Sequence, residues 1–435
     1  MGGTSPFDQL IGSLKGAVKS FPDKRTGGNG IYSMEDIALG AFSVFFTQSP
    51  SFLEHQKKME KERGKSNAQT IFGIKRIPTD NHIRDILDPI SPEIVFPVYN
   101  DAFSLLNNSG HIDSFRVFNG DLLIAMDATW YFSSKSIHCE HCSTKTHKDG
   151  SITYSHSVIN PVIVAPGRSE VIPLVPEFIL PQDGDNKQDC ENKAAKRWIK
   201  KYGELYSSLK ATVLGDDLYC KQPICENLLG KGFNFILVCK PESHKSLYEW
   251  VDFLEEGVDR HKITIKCWDG KRWVICTYRY ANDVPLRDTD DALRVNWLEV
   301  TITTMKGEPV YYNTFVTNHI ITDKNVANLG VCGRTRWKTE NENNNILKTK
   351  GYHLEHNYGH GKENLSSLLA TLIILALLFH TVLHLMDEKY RLIRNELPSR
   401  KTFFNDIRSL TRYMCFKSWD HLMNFMMEGL ELKLE

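Results

Sequence analysis

Two acidic side chains follow apolar segments of the chain at points where strands are expected to end. Asp127 comes directly after the apolar residues 122–126, and Asp216 follows residues 212–215, with Asp217 beside it. The carboxyl ends of neighbouring strands in an α/β sheet open into one crevice, so these carboxylates would meet there. Close carboxylates repel one another unless a cation lies between them, and hard oxygen ligands favour Mg²⁺ or Mn²⁺. Strand-end aspartates also cap turns and helices, and spacing alone leaves both interpretations open.

A third acidic residue stands in a more specific pattern. Residues 333–341 read Gly-Arg-Thr-Arg-Trp-Lys-Thr-Glu-Asn, which places Arg336 and Trp337 ahead of Glu340. Together with Asp127 and Asp216, this segment resembles the three signatures of DDE-type insertion-sequence transposases, and the resemblance covers about residues 30–430. It implies an RNase-H-like sheet in which two Asp and one Glu bind two divalent ions, Mg²⁺ or Mn²⁺. It also implies a β-rich insertion between the second Asp and the Glu.

The resemblance assigns the three catalytic, metal-binding acids residue by residue. Asp127 matches the first acid, Asp216 the second and Glu340 the third. Asp217 is the alternative for the second acid, and Glu355 is the alternative for the third. We prefer Glu340 because an Arg-Trp pair precedes it at the spacing of the family, whereas Lys-Gly precedes Glu355.

Two basic residues accompany the third acid. Arg336 and Lys348 lie on either side of Glu340 on a predicted helix, where they could neutralise the charge of a phosphate. A solvated helix face is the alternative. The family signature has a Tyr where this chain has Gly333, and Lys348 lies one residue later than the Lys of the signature.

A cysteine pair has the spacing of a structural zinc site. Cys139 and Cys142 form a Cys-x-x-Cys motif in a predicted turn, and His147 and His156 follow it. A structural zinc ion needs four ligands, and no second Cys-x-x-Cys motif follows. The pair therefore indicates either a Zn²⁺ site or an ordinary polar loop.

Basic residues cluster in two segments. Lys196 and Arg197 belong to a predicted helix at residues 189–209 with a cationic face, which we expect to bind DNA phosphates. Residues 389–417 mix basic and aromatic side chains. This second segment is compatible with phosphate and base contacts, or with aromatic packing that leaves the charges solvated.

The pattern of apolar residues predicts the elements that position these side chains. Residues 1–30 read as a flexible lead-in, and residues 31–117 as a helical DNA-binding domain. We expect a mixed α/β catalytic core, RNase-H-like by the resemblance, whose first part spans 118–250. A β-rich insertion is predicted at 251–320, with a hairpin around Asp269–Gly270. The second part of the core, with the Glu-bearing helix and a basic helical segment, spans 321–435.

Composition narrows the class of protein. The chain has 435 residues, and its 53 basic residues balance 53 acidic ones, so DNA affinity must come from local patches. Ten cysteines over this length do not form a disulfide scaffold, and the N-terminus has no apolar targeting segment. The apolar run 368–379 is shorter than the roughly 20 residues of a membrane span and predicts a core helix. We therefore expect a cytoplasmic protein, associated with the nucleoid when bound to DNA, and no membrane partner.

The sequence favours a transposase that binds inverted terminal repeats and target DNA, and that cleaves and joins DNA strands. The family resemblance implies a homodimer in a synaptic complex. Two alternatives remain open, namely a catalytically inactive DNA-binding protein derived from a transposase and an RNase-H-like, structure-specific nuclease.

Overall fold

The computed structural model describes residues 4–25, 31–59, 66–181 and 187–434. Within these ranges the strands are β1 Leu122–Ala125, β2 Ala128–Ser134, β3 Ser143–Thr146, β4 Ile152–Ile159, β5 Val162–Val164, β6 Ile172–Pro173, β7 Glu177–Ile179, β8 Ala211–Gly215, β9 Asn234–Val238, β10 Arg260–Trp268, β11 Trp273–Pro285, β12 Arg294–Thr304 and β13 Pro309–Thr317. They form two sheets.

Some helices cover the large sheet. The others come from the N-terminal and C-terminal parts of the chain and pack against one another. The helices are α1 Pro6–Val18, α2 Met34–Phe46, α3 Phe52–Met59, α4 Asp80–Leu87, α5 Phe96–Asn108, α6 Lys187–Ser207, α7 Gln222–Gly230, α8 Lys245–Phe253, α9 Val326–Arg334, α10 Asn345–Thr349, α11 Leu365–Met386, α12 Glu388–Glu396, α13 Arg400–Tyr413 and α14 Trp419–Gly429.

The large sheet is mixed. Its nine strands run in the order β10-β11-β12-β13-β9-β8-β1-β5-β6. The three central strands β1, β8 and β9 are parallel, whereas β5 and β6 continue antiparallel on one side. Every residue of β1 and β8 is buried, which explains why both segments are apolar without alternation. The prediction of a mixed α/β fold is confirmed.

The β-rich segment extends this same sheet and does not form a separate layer. The strands β10 to β13 make an antiparallel meander, and β13 pairs with β9 through Phe315 and Val238. The predicted hairpin is present, with Trp268 opposite Trp273 and a positive φ of 96° at Gly270. The four strands lie within the predicted limits of 251–320, and backbone pairing with β9 joins this segment to the core sheet.

A second, smaller sheet begins where β1 ends. It contains β2, β4 and β3, and β7 pairs with β4. Only Met126 and Asp127 separate β1 from β2, so the chain changes sheets at Asp127. The chain returns to the large sheet at Asn160–Pro161, between β4 and β5. Proline lacks the N–H that a strand interior needs, which explains this break.

The N-terminal helices do not form a core of their own. The segment predicted as a loose lead-in instead contains α1, whose N-terminus is capped by the Ser5 hydroxyl and whose Phe7, Leu10 and Leu14 are buried. Helix α2 packs against α11 from the far end of the chain, and one continuous apolar core includes both. The helical domain predicted at 31–117 thus shares its core with the C-terminal helices.

Helix α11 is the central member of this helical layer. It has 22 residues and is long and apolar enough to cross a membrane by length and composition, but 94% of its most apolar window is buried inside the protein. It contacts α2, α5 and α12 and also β6 of the large sheet. In this structure the apolar run 368–379 therefore lies in a core helix, as expected, although the helix is longer than the run.

Candidate active site

The first two acids stand at the same edge of the large sheet. Strands β1 and β8 are parallel neighbours, with Ala125 opposite Leu214 and the Met126 N–H donating to the Leu214 carbonyl at 2.9 Å. Asp127 and Asp216 each follow two residues after this matched pair. The register of two parallel strands therefore places both carboxylates at the carboxyl end of the sheet, where α/β folds commonly hold ligands.

The third acid reaches this edge from the segment after α9. Glu340 lies in a π-helical turn, Thr339–Asn344, and its carboxylate is 2.8 Å from the Arg336 guanidinium. Asn344, at the end of the same turn, donates from Nδ2 to Asp127 Oδ2 at 3.2 Å. Single π-helical turns often occur at functional sites. The hydrogen bond from Asn344 fixes this turn against the end of β1.

Asp127 interacts electrostatically with Arg336, Glu191, Asp216 and Glu340. Burial is the main cause that raises the pKa of Asp127 to about 7, and the nearby carboxylates of Glu191, Asp216 and Glu340 raise it further, while Arg336 lowers it. The pKa of Asp216 is also raised by burial, against the opposing effects of the Leu218 N–H and Arg336. The structure thus brings Asp127, Asp216, Glu340 and Arg336 together. Their assignment as catalytic and metal-binding residues stays a prediction.

A fourth carboxylate belongs to the cluster and was not singled out from the sequence. Glu191 on α6 is buried, with 7% of its surface exposed, and accepts a hydrogen bond of 3.0 Å from the Tyr219 hydroxyl. Its spacing from Ala194, Ala195 and Trp198 would have identified it, because those residues define the buried face of α6. Asn344 was likewise missed.

Asp217 is engaged elsewhere. Its Oδ1 accepts the Lys240 N–H at 2.7 Å and lies 3.5 Å from His244 Nε2. Burial would raise the pKa of Asp217, but hydrogen bonds from His244, Ser243 and Lys240 outweigh burial and lower it to about 2. Asp216 instead interacts with Arg336. These contacts favour Asp216 over Asp217 as the second acid.

Glu355 and Lys348 pair with each other. The Lys348 ammonium lies 2.8 Å from the Glu355 carboxylate, whose side chain is 53% exposed. Glu340, in contrast, contributes to the pKa of Asp127. This electrostatic interaction with Asp127 favours Glu340 as the third acid. The predicted phosphate contact of Lys348 stays a prediction, and forming it would require Lys348 to leave Glu355.

The basic residues predicted on α6 differ in their surroundings. Arg197 is held by Glu177, at 2.7 Å, and by the Phe178 carbonyl, so it fastens α6 to β7. Lys196 is half-buried on the same helix. The Arg197 contacts explain its position structurally, and DNA binding by Lys196 and Arg197 stays a prediction.

The aromatic residues of the basic C-terminal segment are mostly core residues. Tyr390, Phe403, Phe404 and Phe416 are each at most 2% exposed. Arg408 donates to the carbonyls of residues 47 and 48 and so helps attach α13 to the end of α2. Of the two interpretations left open by the sequence, the structure favours aromatic packing.

Gly333, at the position of the family tyrosine, has a packing role. A Cβ atom there would lie 2.9 Å from Phe315 Cε1 and 3.1 Å from Ile236 Cγ2. A Cβ atom at Gly330, one turn earlier, would lie 2.9 Å from Tyr278 Cε1. Two glycines on one face therefore let α9 lie directly on the large sheet, and no larger side chain fits at 333.

We expect Gly333→Ala to destabilise the protein by about 1–3 kcal/mol, because its Cβ would overpack the contact between α9 and the sheet. Urea unfolding followed by circular dichroism measures this change. Gly230→Ala is the matched control, since no atom lies within 4 Å of the added Cβ. Equal stability of the two variants would contradict this account of α9.

The predicted zinc pair lies outside the carboxylate cluster. Cys139 and Cys142 are grouped with His156 on β4 and with His360, which precedes α11. His360 is far away in the sequence and was not predicted. His147, which was considered, pairs instead with Thr153 at 2.8 Å.

The comparisons with known proteins include a distant structural match. No protein-family model matches the chain, and a search of curated proteins finds no match. Among solved structures, the chain is similar to a piggyBac transposase in a synaptic complex with hairpin DNA, at a TM-score of 0.36 and 10% sequence identity, over 93% of this chain and 83% of that chain.

Proposed function

We propose that this protein is a DDE-type transposase that binds inverted terminal repeats and catalyses divalent-metal-dependent cleavage and transfer of DNA strands. One observation carries the proposal: Asp127 and Asp216 end two parallel neighbouring strands, and Glu340, from a segment that begins beyond β13, interacts electrostatically with Asp127. The motif resemblance assigned these same three residues as metal ligands. Local spacing alone does not require the three to meet, since more than 200 residues separate Asp127 from Glu340.

The donor set fits hard divalent ions. Asp127, Asp216 and Glu340 offer carboxylate oxygens, and burial, together with repulsion from the neighbouring carboxylates, raises the pKa of Asp127 to about 7. A cation between these oxygens would relieve that repulsion, and oxygen ligands favour Mg²⁺ or Mn²⁺ over softer metals. When bound, a pair of such ions supplies the positive charge that activates an attacking hydroxyl and stabilises the leaving oxygen.

The other residues of the cluster would orient the three carboxylates and neutralise the charge of a bound phosphate. The Arg336 guanidinium, paired with Glu340, provides positive charge beside the carboxylates and could contact a DNA phosphate through its planar fork. Asn344 holds one oxygen of Asp127 and so fixes the orientation of this carboxylate. Tyr219 fixes Glu191 behind the first acid. These contacts position the acids before DNA arrives.

The strand order supports an RNase-H-like core. On one side of β1 the sheet continues antiparallel through β5 and β6, and on the other side parallel through β8 and β9. The acids at the ends of β1 and β8 therefore occupy the two adjacent central strands. This arrangement agrees with the mixed sheet that the motif resemblance implies.

An exposed hairpin offers a surface for DNA. Trp268 and Trp273, at the turn between β10 and β11, are 57% and 50% exposed, and the Lys266 ammonium lies 4.9 Å from the Trp273 ring. Aromatic rings beside cations suit base stacking and phosphate contacts.

By the family resemblance, we further propose a homodimeric synaptic complex and a cytoplasmic, nucleoid-associated location.

One of the two alternatives loses support from these contacts. A catalytically inactive descendant was favoured by the Gly at the Tyr position, but Gly333 is explained by packing against Phe315 and Ile236. An RNase-H-like nuclease would share the carboxylate site. The two enzymes differ in their products, because only a transposase joins the cleaved end to a second DNA.

The DNA that flanks the gene provides the direct test of function. We expect short inverted repeats on both sides, and purified protein with Mg²⁺ should cut at their ends and join them to a target plasmid. Cutting without joining would favour the nuclease. Absence of repeats together with absence of cutting would contradict the proposal.

We expect Glu191→Gln to slow cleavage about 10- to 100-fold and to raise the Mg²⁺ concentration required, because neighbours of metal ligands tune their affinity by this amount. Titration of cleavage rate against Mg²⁺ measures both effects. Glu204→Gln, on the same helix and paired with Lys231 at the surface, is the matched control and should be unchanged. Identical Mg²⁺ titrations for the two variants would remove Glu191 from the site.

A further inference from the structure

Four soft-metal ligands converge between the small sheet and the helical layer. Cys139 and Cys142 lie in the turn before β3, His156 lies on β4, and His360 lies just before α11. One ligand atom from each residue lies within 4.8 Å of all the others. Cys142, His156 and His360 are at most 9% exposed. The group is separate from the carboxylate cluster, and the transposase proposal does not use it.

The distances between these atoms match the edges of a tetrahedron around zinc. The two Sγ atoms are 3.9 Å apart, and the two Nε2 atoms are 3.1 Å apart. Three Sγ–Nε2 distances are 3.4 to 3.5 Å. Zinc bonds of about 2.3 Å to sulfur and about 2.0–2.1 Å to nitrogen give tetrahedral edges of about 3.8, 3.3 and 3.5 Å for these three classes.

The surroundings favour ligation over two other arrangements. A separation of 3.9 Å is too long for a disulfide between Cys139 and Cys142. His360 Nδ1 lies 2.9 Å from the Gly361 carbonyl, which can only accept, so Nδ1 carries the proton. The unprotonated Nε2 then points its lone pair into the cluster. A backbone carbonyl that fixes the tautomer in this way is typical of metal-bound histidine.

We propose that Cys139, Cys142, His156 and His360 form a structural zinc site. Two sulfur and two nitrogen donors in a closed tetrahedron select Zn²⁺ over the hard ions suited to the carboxylate cluster. The ion ties the small sheet, which begins directly after Asp127, to the segment that follows Glu340 and enters α11. It thereby links the two parts of the chain that carry the first and third acids.

A second group of ligands does not meet the same standard. Cys220, Cys239 and His244 also lie close together, but they supply only three ligands. His244 is already paired with Asp217, at 3.5 Å. A closed structural site needs a fourth ligand, so we assign zinc to the first group alone.

Metal analysis of the purified full-length protein tests this assignment without measuring DNA cleavage. We expect one equivalent of zinc per chain that survives dialysis, and loss of that equivalent in both Cys142→Ser and His360→Asn, with a lower melting temperature. His147→Gln, in the same hairpin, and Cys239→Ser, in the second group, should retain it. Unchanged zinc in Cys142→Ser and His360→Asn would overturn the proposal.

Cobalt substitution of the wild-type protein keeps the test decisive if the variants fail to fold. Replacing bound zinc by Co²⁺ should give visible absorption typical of a tetrahedral site and a near-ultraviolet sulfur-to-cobalt charge-transfer band. Cys239→Ser should show the same spectrum. Binding of Co²⁺ to the wild-type protein without a thiolate band would contradict the site. Loss of that band in Cys239→Ser would contradict it as well.

Discussion

The Asp127→Asn protein should bind its DNA ends normally but cleave them at least about 10³-fold more slowly than wild type, since a lost metal ligand removes several kcal/mol of transition-state stabilisation. Asn keeps the size of the side chain and accepts the hydrogen bond from Asn344 through its carbonyl oxygen. Binding should survive because phosphate contacts elsewhere dominate affinity for DNA. Gel-shift titrations and single-turnover cleavage measure the two properties separately.

Two further comparisons make this result specific. Asp113→Asn alters an exposed aspartate that pairs with Arg116 and should leave cleavage unchanged. Glu340→Gln should resemble Asp127→Asn, whereas Glu355→Gln should cleave normally, because Glu355 faces Lys348. Cleavage at the wild-type rate by Asp127→Asn would show that the metal mechanism is wrong.

The Ile374→Asp protein should fail to accumulate in soluble form. Ile374 is completely buried in α11, and an unpaired carboxylate there would cost more than about 4 kcal/mol, enough to unfold a protein of ordinary stability. Expression without detergent followed by centrifugation and size-exclusion chromatography measures this effect.

Ile374→Leu is the matched control, since a substitution of equal volume costs less than about 1.5 kcal/mol. It should remain soluble and folded. A freely soluble Ile374→Asp protein, or wild-type protein recovered only from membranes, would contradict the central position of α11.

The shared sheet edge of Asp127 and Asp216 could be predicted from the sequence because its signals are local. An apolar strand that ends in Asp identifies Asp127 and Asp216 together with the sheet edge they share, and parallel pairing of β1 with β8 follows the expected α/β pattern. Glu191 and Asn344 escaped prediction because their role depends on how α6 and the π-helical turn pack over that edge. The spacing of residues in the sequence indicates such packing only weakly.

Helix α11 contains polar side chains that are buried in the core because they form hydrogen bonds. Thr371 and Thr381 lie within the helix and donate to carbonyls one turn earlier, at 2.9 and 3.1 Å. His380 Nδ1 lies 2.6 Å from the Tyr352 hydroxyl. Because these groups have partners, the helix extends well beyond the apolar run that predicted it.

Long-range pairing explains the remaining differences. Only the hydrogen bonds between β13 and β9 reveal that the β-rich segment belongs to the large sheet. The contact between α2 and α11 likewise joins parts of the chain that hydrophobic periodicity treats separately. His360 joins the cysteine pair from more than 200 residues away, so the Cys-x-x-Cys motif alone did not reveal all four ligands of the proposed zinc site.

Anomalous diffraction from crystals soaked in Mn²⁺ tests the central claim, that three carboxylates from distant segments share divalent ions. We predict manganese peaks in contact with the carboxylates of Asp127, Asp216 and Glu340, and loss of these peaks in Asp127→Asn crystals. Manganese bound instead at Asp217 or Glu355, or no manganese at the end of β1 and β8, would contradict the account.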